Sequence, residues 1–186
     1  MTTERQPIVS PGAAGVAAVA IAVGAVVSVA LGVYGREHTP TGQAITTLGF
    51  SSMFAMKVWL GLAAGLLALV QATTAARMYG RIGSGPAGPA VAVVHKTSGA
   101  LALLLSLPVA FHCLWSLGFQ TYETRVVLHS LAGCLLYGAF VTKVLTLHRR
   151  GAPAWLLPAA GGLTLVALVA VVLSSSVWYL AAVGRP

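Results

Sequence analysis

Five uninterrupted apolar stretches, each at least the roughly 20 residues needed to cross a hydrocarbon core, leave almost nothing between them: 12–33, 49–72, 90–117, 126–147 and 155–183. In lipid every backbone N–H and C=O must be satisfied within its own segment, so such stretches fold as helices. The chain therefore reads as an all-α integral membrane protein with five transmembrane helices, a single domain over 12–186 preceded by a short cytoplasmic tail at 1–11. The first stretch is longer than a signal-peptide apolar run, and no small-residue cleavage site precedes Tyr34, so it is expected to stay as a helix. The longest connector, 73–89, has GRIGSGPAGP at its centre, a Gly/Pro-rich run that cannot continue a helix.

Composition narrows the chemistry. Apolar residues make up 58% and charged residues 8%, and mean hydropathy is +0.89. Asp is absent, and Glu4, Glu37 and Glu123 all lie outside the apolar runs. That excludes carboxylate-dyad hydrolysis, EF-hand calcium sites, Walker-type nucleotide chemistry and proton transport on an intramembrane carboxylate. The net charge of +8 follows the positive-inside pattern of a membrane protein, so no nucleic-acid partner is implied. Arg5, Arg77, Arg81, Lys143, Arg149 and Arg150 fall on one side against Arg36, Arg125 and Arg185 on the other, which puts the N-terminus in the cytoplasm. Tyr34, Trp115, Tyr122, Trp178 and Tyr179 mark the outer interface, and Tyr79 and Trp155 the inner one. Cys113 and Cys134 lack CxxC or CxxCH spacing, so zinc ribbons, thioredoxin chemistry and covalent haem are unsupported.

Ala20, Gly24, Ser28 and Gly32 repeat every four residues, and Gly61 and Gly65 repeat the device, predicting close helix packing at both stripes. Packing does not account for the histidines. His95 and His112 sit near the two ends of the third helix, His129 and His148 near the two ends of the fourth. Ionisable side chains within a membrane are costly and usually functional, and imidazole is a common axial ligand of haem iron. Antiparallel neighbours bring His112 and His129 to one depth and His95 and His148 to another, giving two bis-histidine pairs in an antiparallel haem-binding core. At about 100° per residue the two pairs are separated by swings of about −100° and +100°, which keeps the histidines converging at both levels. Gly99 and Gly133 follow His95 and His129 by four, leaving room for a porphyrin. Pro108, four before His112, bends the third helix.

His148 in LHRR reads equally as part of an interfacial basic cluster, and His38 as a solvated loop residue. Lys57, inside the second helix, either snorkels or meets a haem propionate or quinone carbonyl. Arg125 and Arg36 are the outer propionate candidates, and Lys96, Lys143 and Arg149 the inner ones.

At HKTSG, PVAFHC, RVVLHSLAG and YGAFVTKVL, before a final helix opening after LLPAAGG, the chain resembles an uncharacterised family of small five-helix bacterial membrane proteins, a domain of unknown function. More loosely, the histidine-bearing helices are similar to the cores of the cytochrome b561 and ferric-reductase superfamilies. That second resemblance implies non-covalent haem b, one or two per chain, in a multi-pass protein of the bacterial cell membrane. The expected function is electron transfer between membrane quinone and an extracytoplasmic redox protein or larger respiratory complex. No flavin or nicotinamide domain is present, so the chain would be the haem subunit of an oxidoreductase. The alternative is haem-free: a structural or assembly subunit, or a copper-handling protein using Met53, Met56, His112, Cys113, His129 and Cys134.

Overall fold

A computed structural model describes residues 11–186; the expected tail at 1–11 lies outside it except for Pro11. Five helices long and apolar enough to be membrane spans account for most of the described chain, and the protein is a multi-pass membrane protein. They are α1 (Pro11–Glu37), α2 (Met53–Met78), α3 (Pro89–His112), α4 (Thr124–His148) and α5 (Leu156–Val172). α3 ends in a π-helical turn, Cys113–Leu117, and α5 runs through another, Leu173–Val177, into α6 (Trp178–Ala182). Local chemistry sets the ends. Ser52 caps α2 by accepting the Ala55 N–H at 3.0 Å. Pro89 and Pro158 sit in first turns, where no helical N–H partner is lost. Gly118 closes the first π turn at φ +69°, against Pro40 and the Gly35 carbonyl, where any side chain would be strained.

The helices pack in the order α3, α2, α5, α4, α1, and α1 also touches the π turn of α3. Both small-residue stripes are seams. A Cβ on Gly24 would stand 2.5 Å from the Gly138 carbonyl oxygen, so α1 and α4 cross backbone to backbone. Thr142 Oγ1 donates across this seam to the Ala20 carbonyl at 3.3 Å. Gly61 and Gly65 of α2 receive Ser176 and Val172 from the α5 span. The buried residues are mostly Ala, Met, Ser and Thr, whereas Val26, Leu66, Leu69 and Val166 point outward. That inversion of the soluble pattern is what lipid permits, since packing of small residues replaces burial of large ones.

α3 and α4, the two helices expected to form an antiparallel haem-binding core, do not pack directly on each other. α3 lies on α2, and α4 lies between α1 and α5. The two face each other across a cavity, bridged by a hydrogen bond of 2.9 Å between Ser106 Oγ and Tyr137 Oη. Tyr137→Phe is expected to cost about 0.6–1 kcal/mol, as interhelical bonds in membranes do, measured by unfolding in mixed micelles.

Candidate functional site

The cavity, about 480 Å³, lies at the end of the bundle where α1 and α3 finish. Its walls come from all five spans. Tyr122, Trp178 and Tyr179 stand at its rim, and Ser106 and Tyr137 line it too. Its polar lining includes Lys57 from α2, Cys113 from α3, Arg125 and His129 from α4, and Ser174 from the π turn of α5.

His129 is the best-defined of these groups. Ser174 Oγ gives its own hydrogen to the Ala170 carbonyl at 2.6 Å, so at 3.1 Å it accepts from His129 Nδ1–H. The network therefore assigns the tautomer with a bare Nε2. That lone pair meets the Cys113 thiol at 3.9 Å. Arg125 holds the rim: one guanidinium nitrogen donates to the Ser174 carbonyl and another to Glu123 Oε2, both at 2.9 Å, and its plane lies 3.5 Å from the Trp178 ring centre. The two π turns make this possible. A wider turn re-aims side chains and loosens the carbonyl ladder, and Ser174 serves both His129 and Arg125 from inside one. Lys57 Nζ lies 5.8 Å from the Phe54 ring centre and borders the cavity, a position that serves a ligand as well as the interface.

The other histidines share the tautomer but not the cavity. His112 is 1% exposed. Its Nδ1–H donates to the Pro108 carbonyl at 2.7 Å, and Nε2 is buried without a partner among the described residues. His95 Nδ1 meets Thr74 Oγ1 of α2 at 2.8 Å; that hydroxyl donates to the Val70 carbonyl, so His95 donates. The His95 carbonyl also accepts from Gln71 Nε2. His148 donates to the Val144 carbonyl of its own helix at 2.8 Å and is exposed, as are Arg149 and Arg150.

The inner bis-histidine pair is thus not assembled: His95 turns to α2 and His148 outward. Straight-helix geometry misplaced His95 and His112. His95 meets Thr74 of α2, while His112 is buried on α3 and does not border the cavity. The space beside Gly99 is also taken, since a Cβ there would meet Gln71 Oε1 at 3.1 Å, whereas a Cβ on Gly133 would meet nothing within 4 Å. Of the inner propionate candidates, Lys96 and Arg149 are exposed and Lys143 is half-buried; Arg36, at the outer end, is exposed.

Sequence reasoning missed three groups. Ser174 was signalled by a polar SSS run in an otherwise apolar helix. Cys113 was weighed only for copper, yet it borders His129. His38, expected in solvent, is half-buried between Tyr34 and Trp115, with ring centres at 5.1 and 4.4 Å. Among the described residues no three His, Cys or carboxylate side chains gather in a metal-binding cluster; of the copper set, Cys113 and His129 meet.

A family model described as a family of unknown function, DUF6529, matches residues 16–186. No curated protein and no solved structure matches the chain.

Proposed function

The chain belongs to the DUF6529 family, and from that premise, which carries no activity, we propose that it is a haem b electron-transfer protein of a cell membrane. The observation that carries the proposal is His129: its Nδ1–H is fixed on Ser174 and its bare Nε2 is turned into a membrane cavity. An imidazole so oriented is what a metal ligand requires, because the bond at one nitrogen fixes the tautomer and the ring for the other. Gly133, one turn along, leaves the wall beside it open.

These residues fit one haem. His129 would supply one axial ligand, and the adjacent His112 and Cys113 of α3 are the candidates for the other. Lys57 and Arg125, from the cavity's polar lining, would meet the propionates. When bound, haem supplies a one-electron carrier; the protein supplies ligands, counter-charges and a low-dielectric wall. Quinol is the donor class we assign, giving up two electrons one at a time and releasing two protons as it becomes quinone. With the N-terminus in the cytoplasm, the cavity rim faces an extracytoplasmic redox partner. His95 and His148 do not fit a second haem, for the reasons of geometry given above.

Two measurements test this. A pyridine haemochrome assay on protein expressed with ample haem supply is expected to give one haem per chain; finding none overturns the proposal. His148→Ala should leave that ratio and the visible spectrum unchanged, whereas a ratio falling from two to one would restore the inner site.

A further inference from the structure

Resting on the haem reading above, we infer that the axial partner of His129 is Cys113, making the site an imidazole–thiolate centre rather than a bis-histidine one. The Cys113 Sγ lies 3.9 Å from His129 Nε2, on the side where that nitrogen carries its lone pair. Metal–imidazole and metal–thiolate bonds of about 2.0 and 2.3 Å sum to about 4.3 Å when opposed, so a few tenths of an ångström of movement opens the gap to a metal centre. His112 offers no such geometry. It is buried on α3 and does not border the cavity.

Neighbouring helical residues point about 100° apart, so bringing His112 round would carry Cys113 away. The outer loop opposes that rotation. Ser116 Oγ donates to the Gln43 carbonyl at 2.7 Å, and the Thr41 and Gly42 N–H groups donate to the carbonyls of Trp115 and Ser116. His112 is itself tied to the Pro108 carbonyl. The azimuth of the π turn is therefore fixed with sulfur, not imidazole, towards α4.

The chemistry of the wall agrees. It contains no carboxylate, and the Lys57 ammonium borders the same space, a counter-charge for the thiolate that a metal requires as ligand. On ligation the Cys113 S–H bond breaks, the sulfur keeps the electron pair and one proton leaves per site. A thiolate donates more charge to iron than imidazole does, so the site is expected to be harder to reduce than a bis-histidine one.

The test uses the full chain in detergent. Ferric wild-type protein is expected to show a thiolate-to-iron charge-transfer band by magnetic circular dichroism, together with low-spin electron paramagnetic resonance of narrower g-spread than bis-imidazole haem. Cys113→Ser should lose the band and become high-spin, while His112→Ala and the matched control Cys134→Ser should keep both signatures. A bis-imidazole spectrum in the wild type, or loss of low-spin iron in His112→Ala but not in Cys113→Ser, overturns the assignment and leaves the haem reading standing. Absence of haem in the wild type overturns both.

Discussion

Gly138→Leu is expected to unfold the bundle at far lower temperature than the wild type. Its Cβ would drive into Ser28 and the Gly24 carbonyl of α1, and backbone cannot step aside as a flexible side chain does. Overpacking in ordinary cores costs about 1–3 kcal/mol; here two helices must separate, so the loss should exceed about 3 kcal/mol. Separation also removes the bond from Thr142 to the Ala20 carbonyl. Gly161→Ala is the matched control, because nothing lies within 4 Å of a Cβ at that position, and it should be neutral or slightly stabilising. Thermal unfolding in detergent reads both. Gly24→Leu combined with Gly138→Leu should cost much less than the sum of the two, since either alone already opens the shared seam; full additivity would mean that the two glycines do not oppose each other.

Hydropathy made the five spans legible because lipid leaves the backbone no alternative to helix, and the glycine stripes told which faces pack closely. They did not tell which helix packs on which. Gly24 meets Gly138, whose own four-residue stripe runs on through Thr142 and Thr146, but no spacing says which stripe meets which, so the α1–α4 pairing is visible only in three dimensions. The chemistry was half legible for a related reason. A 100° rotation per residue is accurate over two turns but drifts over the 17 residues from His95 to His112; His95 turns to Thr74 of α2 and His112 lies off the cavity. The two π turns are likewise silent in the periodicity, though they set the azimuth of Cys113 and supply Ser174. His129 and Gly133 survive as cavity residues because they lie within one turn of each other, where such drift is small.

That places the greatest functional effect at His129, and the variant that best exposes it is His129→Gly. Truncation removes the only cavity imidazole among the described residues and leaves a space beside the already open Gly133. Haem occupancy of the purified variant should fall to background, while the fold persists, since His129 contributes only two interhelical contacts, to Ser174 and to the Cys113 thiol. Adding free imidazole should then restore a low-spin spectrum, because the lost group can be supplied in solution while the rest of the wall is unchanged. Ser174→Ala should behave in between. It keeps the ligand but frees the ring to rotate and change tautomer, and partners that orient a metal ligand are worth about 10- to 100-fold in affinity. Haem retention in His129→Gly, without imidazole, would show that the cavity histidine is not the anchor.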